Sequence, residues 1–137
     1  MKRTKLLIIT VVFVIIALNI AYFTLNYTKE GNALIATKFI KNEATYKFDG
    51  IPETFKLSET IPSQCPYCWE FTFEYQSGNS GYGDRKNTSV DAVITNHSAK
   101  IVLEKGNIQS AVLDNTWDMK AQKPLNVVPR EGRGRRR

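Results

Sequence analysis

The segment Leu6–Leu25, LLIITVVFVIIALNIAYFTL, runs for twenty residues without a charge directly after the basic opening MKRTK. At about 1.5 Å per residue, a helix of this length covers roughly 30 Å, the thickness of a bilayer's hydrocarbon core. A cleaved signal peptide also begins with a basic stretch. Its apolar core is usually only about 7–15 residues, and a small-x-small cleavage site comes after it. Asn19-Ile20-Ala21 matches such a site poorly, and aromatic residues continue to Tyr27. No Cys comes after the run to take a lipid. The expectation is an uncleaved signal anchor. Residues 1–5 form a basic cytoplasmic tail, 6–26 a single membrane span, 29–121 an extracytoplasmic domain, and 122–137 an extended, Arg-rich tail. Lys2, Arg3 and Lys5 set the orientation by the positive-inside rule, which puts the protein in the cell membrane with its C-terminal domain outside the cytoplasm.

The net charge of +6 is a property of the two ends. The final REGRGRRR holds five Arg and one Glu, while residues 29–129 hold eleven basic and twelve acidic groups. A domain this close to neutral lacks the basic face expected of a nucleic-acid-binding surface, so no nucleic-acid partner is expected. The tail reads first as a solvated terminus and second as a binder of acidic surfaces.

Beyond the span, Gly31-Asn32 is read as a break, with a helix after it from Ala33 to about Asn42. Ile35, Ala36, Phe39 and Ile40 share one of its faces, Lys38 and Lys41 lie opposite, and Leu34 does not fit. The period then changes to two. Tyr46 and Phe48 read as a strand ending at Asp49-Gly50, and Phe55 and Leu57 as another, bracketed by Pro52 and Pro62. Trp69, Phe71, Phe73 and Tyr75 alternate with Glu70, Thr72, Glu74 and Gln76, the clearest strand in the chain. Ser77 to Asn87 is loop by composition. Strands are expected at Val90–Thr95, Ala99–Glu104 and Ile108–Leu113, the last two joined by a tight turn at Lys105-Gly106-Asn107. This order gives an α+β fold. One helix packs on an antiparallel sheet of about six strands, in a cystatin-like two-layer arrangement, with the aromatic face of the Trp69 strand as its floor.

Cys65-Pro66-Tyr67-Cys68 has the spacing and residues of a glutaredoxin active site. A catalytic first Cys needs a helix N-terminus to hold it as a thiolate, and the motif then stands after a strand in a βαβ unit. Here the next residues are WEFTFEY, which is strand, and no βαβ unit is present. The reading is a Cys65–Cys68 structural disulfide at the start of the aromatic strand, worth roughly 2 kcal/mol for so short a loop. The alternative is a redox-active pair with Cys65 as nucleophile and Cys68 resolving. His97 is the only His, so two Cys and one His fall short of a zinc set, and neither metal nor cofactor is expected.

The candidate binding residues are Trp69, Tyr82, Asp84, Arg85, His97 and Trp117. In GYGDR, Gly81 and Gly83 free the backbone around Tyr82, while Asp84 and Arg85 either meet a charged ligand or cap the turn. His97 reads as a hydrogen-bonded histidine at a strand edge. A catalytic role would need a nucleophile and an orienting acid, for which Ser98 and Asp91 offer only closeness in sequence. Trp117 reads as the seal of a small core, with ligand stacking as the second reading. Sequons stand at Asn26, Asn87 and Asn96. Nothing in the chain forms a P-loop, dinucleotide fingerprint, zinc-protease motif or nucleophile elbow.

FDGI (Phe48–Ile51), CPYCWEFTFEY (Cys65–Tyr75), GYGDR (Gly81–Arg85), ITNHSAKIVLEKG (Ile94–Gly106) and VLDNTWDM (Val112–Met119) occur in one order. In this pattern the chain resembles a group of small exported, membrane-anchored proteins of archaea and bacteria. The resemblance implies a location and a compact two-layer domain, and it brings no catalytic residue. The expected role is recognition of an unidentified protein or small ligand at the membrane surface, through the aromatic strand, the GYGDR loop, or both. A membrane-tethered thiol-disulfide oxidoreductase is the first alternative and a structural envelope component the second.

Overall fold

A computed structural model of the chain describes residues 2–125. Helix α1 (Lys2–Tyr27) takes in the apolar run, and its side chains from Arg3 to Leu25 are exposed to their surroundings. It is long and apolar enough to cross a membrane, a property that a signal sequence shares. Its few polar side chains bond back to their own helix: Thr10 to the Leu6 carbonyl (3.0 Å), Asn19 to Ile15 (2.8 Å) and Thr24 to Ile20 (3.0 Å). These donors are thereby paired without water, as a hydrocarbon environment favours.

The chain breaks at Thr28 rather than at Gly31-Asn32. Thr28 is the N-cap of helix α2 (Lys29–Asn42), accepting a hydrogen bond from the Gly31 amide, so Gly31 and Asn32 lie inside the helix. Gly31 is required by the corner that results, because a Cβ there would collide with the Thr24 and Leu25 carbonyls. Asn32 is fully buried and brackets the corner. Its Nδ2 donates to the Asn26 and Thr28 carbonyls (2.9 and 2.8 Å), and its Oδ1 accepts from the Gly106 amide (3.0 Å). The inward face of α2 carries Ala36 and Ile40, with Ile35 and Phe39 half-buried beside them, and Leu34 points away.

The strand expected at Tyr46 and Phe48 is instead helix α3 (Ala44–Asp49). The buried Glu43 caps it, accepting from the Thr45 and Tyr46 amides at 2.8 and 3.3 Å. Thr45 and Tyr46 are neighbours and both are buried, which a strand with one core face does not allow.

A six-stranded antiparallel sheet comes next, in simple chain order: β1 (Gly50–Pro62), β2 (Cys68–Ser77), β3 (Thr95–Glu104), β4 (Asn107–Leu113), β5 (Trp117–Asp118) and β6 (Lys123–Pro124). With α2 laid across one face, this is the expected α+β arrangement. Phe71, Phe73 and Tyr75 of β2, Ala99, Ile101 and Leu103 of β3, and Ala111 and Leu113 of β4 form the floor beneath α2. Phe55 joins them from β1, stacking on Phe73 at 5.3 Å. The ladder slips between Ile51 and Lys56 and again after Leu57, so Phe55 turns inward while Leu57 stays exposed. Pro52 has no amide to give the ladder at that point, and a bulge is where a strand tolerates it.

Val90–Ile94, expected as strand, is irregular, and β3 begins only at Thr95. Pairing stops at Ser77 with Thr95 because the Gly78 amide turns to the Asp49 carbonyl, taking the would-be partner strand away. The two short strands after Leu113 supply the remaining pairings, and Pro124 pairs with Trp117, beyond the boundary expected at residue 121. Residues 126–137, which include the Arg-rich tail, lie outside the described residues.

Candidate functional site

β2 carries ten residues and spans roughly 30 Å, so the sheet has two well-separated ends. Cys68, the Lys105-Gly106 turn and the end of α1 gather at one. Ser77, Thr95 and Asp114 gather at the other, which carries most of the sequence-derived candidates.

At this distal end the loop after β2 folds over α3. Arg85 is 4% exposed. It donates to the Ser80 and Gly81 carbonyls at 2.7 Å each and pairs with Asp49 at 2.6 Å, its guanidinium lying 4.7 Å from the centre of the Phe48 ring. Asp49 also accepts from Asn79 at 2.8 Å. The Thr45 hydroxyl accepts from the Gly83 amide at 2.9 Å and donates to Glu43. Gly81 and Gly83 have φ of 91° and 73°, left-handed values that favour glycine. Arg85 is therefore committed to holding the loop. Asp84 is exposed and accepts from the Lys86 amide at 3.1 Å, closing the turn.

Beside this loop, His97 sits within β3, 3% exposed, between two side chains distant in sequence. Its Nε2 is 3.0 Å from Ser77 Oγ and its Nδ1 is 2.7 Å from Asp114 Oδ2. Asp114 also accepts from the Ser98 amide at 2.7 Å. Burial pushes the Asp114 carboxyl up, but the hydrogen bonds from His97 and the Ser98 amide, with the nearby imidazole charge, outweigh it and hold the carboxyl below the ordinary aspartate range. The order Ser–His–Asp matches a hydrolytic triad, yet Ser77 is fully buried and its Oγ lies nearer the Asn79 carbonyl (2.7 Å) than the imidazole. A nucleophile must reach a substrate, and this serine reaches only the loop. The line Ser77–His97–Asp114 ties the loop after β2 to the turn after β4.

Tyr82 lies against His97, with ring centres 5.9 Å apart, and stacks on Trp117 at 5.5 Å and 12°. Its hydroxyl accepts from Thr116 at 3.1 Å. The fold thus brings Tyr82, His97 and Trp117 into one cluster, half-buried at its outer edge. Trp69 lies at the opposite end of β2, paired with Leu103 and Pro62.

On the polar face of the sheet at the distal end, a cleft of about 550 Å³ opens where the β1 bulge lifts away from β2. Glu53, Lys56, Glu74, Gln76, Asn96 and Asp114 border it. Lys56 pairs with Glu74 at 2.8 Å and Gln76 donates to Asn96 at 2.9 Å. Of its three carboxylates, Glu74 is paired with Lys56 and Asp114 with His97 and the Ser98 amide, while Glu53 stands exposed at the rim. The cleft leaves no signal in the sequence, because its residues come from three strands and the turn after β4 and meet only in the folded sheet. Among the described residues no three His, Cys, Asp or Glu side chains gather as a metal would need.

No protein-family model, curated protein or solved structure matches the chain. Its function has to be read from its own residues. At the other end of the sheet Cys65 and Cys68 are joined in a disulfide, with Cys65 exposed and Cys68 buried. Cys68 opens β2 and not a helix, so the motif does not form the first turn of a helix as a thiolate-stabilising CxxC would. Tyr67 at the loop tip has φ of 60°, a left-handed value costly for a large side chain, and its ring meets Tyr27 of α1 edge-on at 5.1 Å.

Proposed function

We propose that the chain is a single-pass membrane protein whose domain, outside the cytoplasm, recognises a polar partner through the distal cleft. The supporting observation is the cleft's place and chemistry. It lies on the face of the sheet not occupied by α2, at the end farthest from α1, and is rich in carboxylates. The aromatic face of β2 is packed under α2 and Arg85 is bound into its loop, which moves the recognition surface away from both. The partner is a peptide or small molecule bearing ammonium, guanidinium or other donor groups.

Site-specific photocrosslinking tests this. A benzophenone side chain at Asn96 in the full-length protein, in its native membrane, is expected to give a discrete adduct that Glu74→Lys abolishes. The same probe at Ser110, outside the cleft, should give none. An adduct from both positions, or from neither, would sink the proposal.

A second reading, the thiol-disulfide oxidoreductase, is supported by the exposure of Cys65 within a CPYC spacing. The reduction potential of the pair separates the two. A value below about −300 mV belongs to structural bridges, and one near about −200 mV or above to labile or catalytic dithiols.

A further inference from the structure

We infer that the domain rests on the lipid surface, with phospholipid filling an apolar groove at the α1–α2 corner and Tyr67 inserted beside it. The inference depends on the reading of α1 as a membrane span. A groove of about 480 Å³ runs from Leu25 of α1 past Leu34, Ile35 and Phe39 of α2 to Ile108 of β4, with Lys38 at its rim. Leu34 is 62% exposed and faces away from the core.

Its level relative to the span identifies what covers it. A second, adjoining hollow is lined by Ala21, Thr24 and Leu25 on one side and by Gly31 and Leu34 on the other, with Thr28 and Glu30 at its polar end. Because α2 folds back at the Gly31 corner, Leu34 stands beside the last turn of the apolar helix. If that turn lies in lipid, so does Leu34. The groove is thus continuous with the lipid-facing surface of α1. Lys38 is placed to extend its ammonium to a headgroup phosphate while its methylenes line the groove.

Tyr67 supplies an independent observation from another element. It is 47% exposed, held in left-handed backbone by the loop that the disulfide closes, and set against Tyr27 at the end of the span. Tyrosines at that depth are at home in the interface, with ring among acyl chains and hydroxyl in the headgroup layer. On this account the CPYC loop positions an aromatic anchor.

The test uses the full chain in phosphatidylcholine nanodiscs, reading amide relaxation from lipids with a nitroxide near the headgroup, from lipids with one at the chain end, and from a soluble gadolinium chelate. Leu34 and Tyr67 should be relaxed several-fold more by the shallow nitroxide than Thr116 at the far end, and be shielded from the chelate. Ile15 should respond to the deep nitroxide. Leu34→Asp should restore chelate access at position 34 without altering Thr116. If Ile15 responds but Leu34 and Tyr67 are as open to the chelate as Thr116, the inference fails while the anchor stands. If Ile15 does not respond, the anchor fails and takes the inference with it. Shielding of Leu34 from both lipid label and chelate would overturn the inference in favour of a second copy on this face.

Discussion

Arg85 and His97 are buried, polar, and attached to opposite flanks of one loop. Replacing Arg85 with Met strips Asp49 of its charge partner in a nearly dry setting, with side-chain exposures of 4% and 11%. Breaking such a pair costs about 3–5 kcal/mol, to be read from urea unfolding of the full chain in detergent. Asp84→Ala, on the exposed side of the same turn, should stay within about 0.5 kcal/mol in that assay. His97→Ala takes one partner each from Ser77 and Asp114, which keep the Asn79 carbonyl and the Ser98 amide, and should cost about 1–3 kcal/mol. Burial and pairing also produce two pH effects. Asp114 titrates below an unfolded aspartate, so its stabilisation is complete above about pH 4 and is lost as the pH falls through its folded value. Burial pushes the Tyr75 phenol far up, with the Glu43 carboxylate adding to it, so the folded state keeps a proton that the unfolded chain releases. Stability should therefore begin to fall above about pH 10, and Tyr75→Phe should flatten that limb of a thermal-denaturation series. The partners of His97 were not readable in sequence, because Ser77 and Asp114 lie far from it along the chain and meet it only through the pairing of β3 with β2 on one side and β4 on the other.

Among the elements, β2 was legible because eight residues alternate without exception, and a sheet buried on one face imposes that period. α3 was not legible. Six residues are too few to separate a period of 3.6 from one of two, and its cap is Glu43, which takes its place only by also meeting Thr45 and Gln122. The segment before Thr95 failed for the opposite reason, since its β-branched residues favour a strand but no partner lies alongside. At the corner between α1 and α2, Asn32→Leu keeps the volume and deletes three hydrogen bonds, leaving the Gly106 amide unpaired. A loss of about 2–3 kcal/mol is expected in the same unfolding assay. Gly31→Ala drives a methyl group into the Thr24 and Leu25 carbonyls, so it should open the corner and release the amides of Asn32 and Gly106 to hydrogen exchange.

At the scale of the molecule, the chemistry is divided between the two ends of the sheet. The disulfide, the Lys105-Gly106 turn and Tyr67 meet the end of α1, while the loop, the aromatic cluster and the cleft occupy the far end. Replacing both Cys65 and Cys68 with Ser should cost about 2 kcal/mol or less, because the closed loop is short. Amide shifts in the variant should move around Tyr67 and Lys105 and leave His97 and Asp114 in place. The corner that joins the two parts has no slack: Gly31 against two carbonyls, and Asn32 bonded at three points. If α1 spans a bilayer as proposed, helix and domain turn as one lever pivoting in it. A change in helix tilt of about 10°, well within the range membranes impose, would sweep the far end of a sheet roughly 30 Å long through about 5 Å. Bilayer thickness would then set the height and angle at which the cleft is offered to whatever it meets.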